Sequence, residues 1–457
     1  MHLHILGICG TFMGGVAQLA RAAGHRVTGS DQNVYPPMSN QLAEIGIDIH
    51  EGYDAEQFFP EPDCVVVGNV LSRGTPAVEA MLDRGLHYES GPGWLARHVL
   101  SGQHVIAIAG THGKTTTASL LAWILEANGL EPGYLIGGVP LNFGASARPG
   151  AGRYFVVEAD EYDTAFFDKR AKFVHYRPET LVLNNLEFDH ADIYADLEAL
   201  KWQFHQLVRT VPGAGSLVVN GNDRELASML EMGCWTPVER FGPGPDCDWR
   251  GEFADGAQRH LRVTAPGGEQ AQTRWALSGS HNLENVVAAV AAAVKVGVAF
   301  DRAVAAVGEF LGVKRRLERT ATVGDIAIYD DFAHHPTAIR RTLAGLKRSA
   351  PSRRIVAALE PRSNTMRLGH HNAALADSLS LADAVYVYSP DDMRDELEKA
   401  LAPLGTRCAL DGDYDALVGR MAPDLKAGDL VIFMSNGSFG DARQTLTALL
   451  RRLKSEY

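Results

Sequence analysis

Short apolar runs of strand length alternate with longer stretches whose apolar residues recur at helical spacing, from one end of the chain to the other. Such alternation predicts parallel sheets covered by helices on both faces, an α/β architecture. The first unit opens with a strand over 2–8, turns at Gly7, Gly10, Gly14 and Gly15, and continues into a helix whose Met13, Val16, Ala17 and Ala20 share one face. Further strands follow at 26–30, 64–68 and 87–89. A second unit starts at His104, with strands over 106–109, 154–159 and 180–184. A polar, glycine- and proline-rich stretch over 241–274 reads as an excursion or a small antiparallel insert. A third unit begins near 312–316, with strands at 327–331, 354–360, 384–389 and 429–434. Its last helix carries Leu446, Leu449, Leu450 and Leu453 as a core-facing stripe. We therefore expect three domains, 1–103, 104–312 and 313–457, which agrees with a prior of about 150 residues per domain.

The most informative string is Ile106 to Thr117, IAIAGTHGKTTT. A buried strand leads into a turn bracketed by Gly110 and Gly113, and Lys114-Thr115-Thr116 opens a helix. Glycines let the backbone turn its N–H groups inward, the helix N-terminus adds partial positive charge, and Lys114 adds a full one. The product is a phosphate cradle, with the Thr115 hydroxyl available to a magnesium ion. Its spacing, Gly-x-x-Gly-Lys-Thr, is two residues shorter than the common P-loop.

Chemistry also collects at the C-terminal ends of strands, where parallel sheets bind ligands. Glu158 follows two valines and emerges near the cradle, where a carboxylate either holds a magnesium ion or pairs with an arginine. His190 closes the string Asn184 to His190; alone such a histidine is more often structural than a ligand, and its companion motifs are what point it toward magnesium or phosphate. Asp330 to Pro336 places two acids and two histidines at another strand end, suited to a ribose or phosphate, or to capping the next helix. His281, Asn282 and Asn285 open an alanine-rich helix, where they either face a purine or cap the helix. The glycines of the first unit, Gly7-x-x-Gly10-x-x-x-Gly14, fit a nucleotide diphosphate other than NAD as well as they fit NAD.

Composition narrows the partners. Apolar residues make up 46% and charged residues 21% of the 457, as in soluble globular proteins, and a net charge of −12 argues against nucleic acid or an anionic membrane as partner. The five cysteines are scattered without a C-x-x-C pair, so neither a disulfide framework nor a zinc site is indicated, and a cytoplasmic location is expected. No segment has the length of a membrane span.

Taken in order, these motifs resemble the ATP-dependent Mur ligase family of peptidoglycan synthesis along essentially the whole chain. The resemblance implies three domains: a Rossmann-like N-terminal domain, a central P-loop ATPase domain and a Rossmann-like C-terminal domain. It implies ATP and Mg2+ as cofactors, with Gly110, Thr111, His112, Gly113, Lys114, Thr115 and Thr116 as the ATP loop, and Thr115, Glu158 and His190 as metal ligands. His281, Asn282 and Asn285 fall on the adenine side, Arg316 lies at the hinge into the last domain, and Asp331 and His334 close over ATP. The catalytic set is Lys114, Glu158 and His190. Gly10 and Asp31 resemble the UDP-N-acetylmuramate site of family members.

Two third-domain strings, Glu360 to Met366 and Met434 to Gly440, favour a member that adds the tripeptide L-Ala-γ-D-Glu-meso-diaminopimelate over one that adds L-alanine. Arg362 is then expected to pair with a peptide carboxylate, and Ser363, Asn364 and Thr365 to supply hydrogen bonds. The activity implied is ATP-dependent amide ligation through an acyl phosphate, in wall recycling, by a monomer or homodimer. L-alanine ligation and a non-catalytic nucleotide-binding regulator are the alternatives. Some relatives carry a carbamylated lysine after the histidine motif; here Lys201 lies several residues early, and no carbamate is expected.

Overall fold

The computed structural model describes residues 1–457 except 35–37, 190, 192, 257, 276, 278, 456 and 457, with Asn364, Lys454 and Ser455 described by their backbone. Five strands, β1 (His2–Leu6), β2 (Arg26–Asp31), β3 (Asp48–Glu51), β4 (Cys64–Val67) and β5 (Tyr88–Ser90), form a parallel sheet in the order β3-β2-β1-β4-β5. β1 stops at Leu6, two residues before the expected end, because Gly7 turns the chain at φ +80°.

The central sheet contains β6 (His104–Ala109), β7 (Gly133–Leu135), β8 (Ala147–Arg148) and β9 (Tyr154–Ala159). A small hairpin, β10 (Asp163–Ala165) and β11 (Asp168–Ala171), stands apart from it, and β12 (Thr180–Leu183), β13 (Ser216–Asn220) and β14 (Val238–Phe241) complete it in the order β14-β13-β12-β6-β9-β7-β8. Side chains alternate across the pleat. Val105, Ala107, Phe155, Val157, Leu181 and Leu183 face one core, whereas Ile106, Ile108, Val156 and Val182 face another. The first core is continuous with Leu3, Ile5 and Trp94 of the N-terminal sheet, so those two domains share one hydrophobic mass. The second core is filled by the helices Lys114–Ala127 and Ser280–Lys295, whose alanines permit close packing. Arg250 to Arg274 folds as the expected antiparallel insert: β15 (Arg250–Phe253), β16 (His260–Thr264) and β17 (Gln270–Arg274).

The last sheet contains β18 (Glu318–Val323), β19 (Ile326–Asp331), β20 (Ile355–Leu359), β21 (Ala384–Tyr388), β22 (Cys408–Asp411) and β23 (Leu430–Met434), ordered β18-β19-β23-β20-β21-β22. β18 pairs antiparallel with β19 and was absent from the sequence expectation, since an exposed edge strand reading ERTATV has few apolar positions. Two cores cover this sheet, and neither includes residues of the first two domains. Apart from Val313, which sits in the central core, the last domain meets the rest through polar contacts such as Thr337 Oγ1 donating to Glu187 Oε2 and Thr365 Oγ1 donating to Asp189 Oδ1, the kind of interface across which domains move. At the junction Arg315 and Leu317 take left-handed φ of +60° and +51°, strained for residues with a Cβ. The turn is held by Leu317 N–H donating to Asp331 Oδ2 at 2.6 Å and by Phe332 N–H donating to Arg315 O at 2.8 Å.

Candidate active site

The cradle forms where β6 ends. Gly110 and Gly113 adopt φ of +143° and +81°, and a Cβ on Gly113 would lie 2.4 Å from Asn285 Oδ1. Only glycine fits there without displacing the helix Ser280–Lys295. Asn185 grips the loop from β12's end: its Oδ1 accepts the His112 N–H at 2.7 Å and its Nδ2 donates to His112 O at 3.1 Å. Thr111 Oγ1 donates to Glu187 O at 3.0 Å. Lys114 folds back over the loop, its Nζ donating to Gly110 O at 2.6 Å and to Glu161 Oε2 at 2.7 Å. Burial pulls this ammonium down, but Glu161 and Asp160 outweigh burial and push it up, so Lys114 stays cationic. The Glu161–Lys114 pair joins residues 47 apart in sequence and so leaves no local signal.

Thr115 and Glu158 meet at the mouth of the cradle. The Thr115 hydroxyl donates to Glu158 Oε1 at 2.9 Å, Gly137 N–H donates to Glu158 Oε2 at 2.6 Å, and Arg316 Nη2 donates to Thr115 Oγ1 at 3.0 Å. Burial raises the Glu158 carboxyl, which a bound cation would reverse. A hydroxyl beside a carboxylate is an all-oxygen donor pair and fits a hard divalent ion such as Mg2+. Arg316 also lies over the Phe332 ring, 4.7 Å from its centroid, so the hinge residue reaches the loop from the last domain.

On the helix Ser280–Lys295, Asn285 accepts from Thr117 Oγ1 at 3.2 Å and so fixes the helix against the cradle. His281 lines the same cavity with Nδ1 buried and unpartnered, an atom suited to a ligand; burial pulls its imidazolium down to about 3, leaving the ring neutral. Asn282 and Glu284 line the cavity beside it. From the last domain, the Asp331 carboxylate is committed to backbone, accepting from Leu317 and Ala333 N–H. His334, pulled down to about 4 by burial, has Nδ1 2.9 Å from Phe332 O. A carbonyl only accepts, so Nδ1 donates and Nε2 of the neutral ring is left as an acceptor.

These groups surround one cavity of about 1390 Å³ reached by all three domains. It is lined by Cys9, Thr11 and Phe12 at the first glycine turn and by Asn33 after β2. Gly10 caps the helix Thr11–Ala22 at this turn, and Asp31 braces it, accepting from Cys9 N–H at 2.9 Å and Asn33 N–H at 3.0 Å. Arg362 lines the cavity, with its guanidinium against Gly437. Ser363 and Thr365 do not line it: Ser363 Oγ accepts from Met366 N–H at 3.3 Å, and Thr365 Oγ1 crosses to Asp189 Oδ1 at 3.0 Å. The side chain of Asn364 and the whole of His190 lie outside the described residues. The missed lining residues include Gly137, Gly138, Arg443, Gln444 and Arg451. The last three lie on the helix Ala442–Ser455, on the polar face opposite its leucine stripe.

Lys201 is turned away from this cavity. Its Nζ contacts Glu198 Oε1 at 2.8 Å and Glu225 Oε2 at 2.5 Å, and those hydrogen bonds push its ammonium up. Carbamylation needs the neutral amine, so intact-mass measurement under bicarbonate is expected to show Lys201 unmodified; a carbamate on Lys201 would contradict this.

Three domains closing on one phosphate cradle, with the all-oxygen pair Thr115–Glu158 beside it, define a nucleotide-dependent ligase architecture. Family models match in the same order: Mur ligase family, catalytic domain, over residues 2–102; Mur ligase middle domain over 108–293; and Mur ligase, glutamate ligase domain, over 315–437. The chain belongs to the Mur ligase family, whose members are ATP-dependent, amide-bond-forming enzymes. It is 49% identical to the UDP-N-acetylmuramate–L-alanyl-γ-D-glutamyl-meso-2,6-diaminoheptandioate ligase of Escherichia coli K12, covering 98% of this chain and 97% of that one. A solved murein peptide ligase from Psychrobacter arcticus 273-4 shares 45% identity at a TM-score of 0.78, covering 99% of both chains. A UDP-N-acetylmuramate–L-alanine ligase from Burkholderia multivorans is more distant, at 34% identity over 96% of each chain. Among the described residues, no helix is long and apolar enough to cross a membrane.

Proposed function

We propose that this protein joins L-Ala-γ-D-Glu-meso-diaminopimelate to UDP-N-acetylmuramate in the cytoplasm, with ATP as the energy source, and so returns wall tripeptide to precursor synthesis. The observation that carries this reading is the 49% identity, over nearly the full length, to a ligase named for that peptide, against 34% to one named for L-alanine. Residues 1–103 would hold the UDP-sugar at the turn containing Gly10 and Asp31, 104–312 would hold ATP, and 313–457 would bring in the peptide through Arg362.

The lactyl carboxylate of UDP-N-acetylmuramate attacks the γ-phosphorus of ATP, a new C–O–P linkage forms, and ADP leaves with the bridging oxygen. Lys114 and the N–H groups of Lys114, Thr115 and Thr116 at the helix N-terminus take up negative charge as it shifts between the phosphates. Thr115, Glu158 and His190 would hold Mg2+, which supplies charge neutralisation at phosphate oxygens. Asn282, Asn285 and His281 flank the base, and Arg316 and His334 reach the nucleotide as the last domain closes, with Asp331 bracing the turn between them. The unprotonated L-alanyl amine of the peptide then attacks the acyl carbon, and phosphate is released. Closure excludes the water that would hydrolyse the acyl phosphate.

Phosphate release with UDP-N-acetylmuramate and ATP, measured with the tripeptide or L-alanine as sole amine, tests this reading. The expected kcat/KM for the tripeptide exceeds that for L-alanine by at least about 100-fold, since a site lined to pair with carboxylates rejects a ligand that leaves them unpaired. A preference for L-alanine would establish the other branch.

A further inference from the structure

The last domain touches the ATP loop at a cluster that the ligation chemistry does not use. Glu187, just after β12, has Oε2 3.4 Å from His112 Nε2 and 3.8 Å from His335 Nδ1. The rings of His112 and His335 have centroids 4.7 Å apart, and His371 stands edge-on to His335 at 4.4 Å with its Nε2 buried and unpartnered. His112 and His335 face the cavity, while Glu187 and His371 lie behind its wall. The ligand atoms of His112, Glu187 and His335 all fall within 4.8 Å of one another.

The geometry points to a transition-metal site that bridges the central and last domains, with His112, Glu187 and His335 as protein ligands to a Zn2+-class ion. Zinc bound about 2.0–2.1 Å from nitrogen and carboxylate oxygen separates neighbouring ligand atoms by about 3.3 Å, close to the 3.4 and 3.8 Å found here. The lone pair a metal requires is already exposed at His335, whose Nδ1 accepts the Thr337 N–H through a 3.2 Å hydrogen bond that coordination would replace. Burial pushes the Glu187 carboxyl up, but His112, Thr337 and His335 outweigh it and hold it at about 2, so the cluster contains an anionic ligand. The positive end of the helix Pro336–Ser349 opposes a cation here, and the full charge of Glu187 offsets that half-charge.

Two imidazoles with one carboxylate select a borderline-soft ion and discriminate against Mg2+, which prefers the oxygen pair Thr115–Glu158. The nearest rival cluster, Cys64, His87 and Glu89, lies in the first domain. There Glu89 is bound to Arg97 at 2.8 Å, and burial pushes the Cys64 thiol up to about 12, which disfavours the thiolate a metal needs. An ion held between His112 and His335 would tie the cradle to the last domain, so metal binding and domain closure would favour one another.

The test uses the full chain without substrates, dialysed against Zn2+ in excess Mg2+ and analysed for bound metal, with Co2+ substitution read by visible absorption. We expect one Zn2+ per chain, a tetrahedral Co2+ spectrum, and a fall in Zn2+ affinity of at least about tenfold in Glu187→Gln and in His335→Ala. Glu187→Gln preserves the side-chain volume, so its reading stands even where His335→Ala fails to fold. No retained Zn2+ in the unaltered protein would overturn the proposal. So would retention that survives the double variant, or that is lost instead in His87→Ala/Glu89→Gln.

Discussion

Lys114→Ala is expected to lower kcat for tripeptide-dependent phosphate release by about 1000-fold or more, the scale of losing a charged group that steadies a transferring phosphoryl. The substitution also takes from the buried Glu161 the ammonium 2.7 Å away, and stranding one partner of a buried ion pair destabilises by roughly 3–5 kcal/mol. The two effects separate in the double variant Lys114→Ala/Glu161→Gln. Removing the opposed charge is expected to recover much of the thermal stability while activity stays lost, because the cation is what the phosphate meets. Peptide binding, measured by calorimetry, is expected to be unchanged in both variants. Activity restored together with stability would show Lys114 to be structural.

Gly113→Ala is the second large effect. At φ +81° any residue with a Cβ is strained by roughly 1–2 kcal/mol, and here the new methyl would also meet Asn285 Oδ1 at 2.4 Å. Asn285 cannot withdraw freely, since Thr117 Oγ1 holds it at 3.2 Å and the helix that carries it is packed in the core. The loop must shift, and its N–H groups shift with it. ATP affinity is expected to fall at least about tenfold, or ~1.4 kcal/mol. Gly24→Ala supplies the comparison: Gly24 has φ +85° but nothing within 4 Å of a Cβ, so it reports backbone strain alone. Calorimetric ATP titration and thermal melts of both variants check this; equal losses in the two would mean that the contact with Asn285 carries no weight.

Much of the α/β pattern was legible because buried parallel strands are written as continuous apolar runs. Val156-Val157 and Leu181-Val182-Leu183 admit few other readings once glycines and acids bound them. The cradle was legible too, since a local turn needs local glycines. What escaped was chemistry that depends on residues far apart in sequence. Glu187 meets Thr337 at 2.6 Å and Asp189 meets Thr365 at 3.0 Å across more than 140 positions, contacts created by how the last domain docks. Periodicity does not encode docking. For the same reason, Ser363 and Thr365 looked like peptide contacts, whereas the docked arrangement commits one to a helix cap and the other to the interdomain seam. Arg443, Gln444 and Arg451 were hidden by the opposite bias: a leucine stripe marks the buried face and says nothing about the polar face, which here borders the cavity.

That polar face and Arg362 give the third domain its cationic lining, on which the proposed choice of amine rests. The direct measurement is a competition: the enzyme, ATP, Mg2+ and UDP-N-acetylmuramate are mixed with equimolar L-alanine and L-Ala-γ-D-Glu-meso-diaminopimelate, and the products are resolved by mass spectrometry. UDP-N-acetylmuramoyl tripeptide is expected as the dominant product. UDP-N-acetylmuramoyl-L-alanine in excess would contradict it.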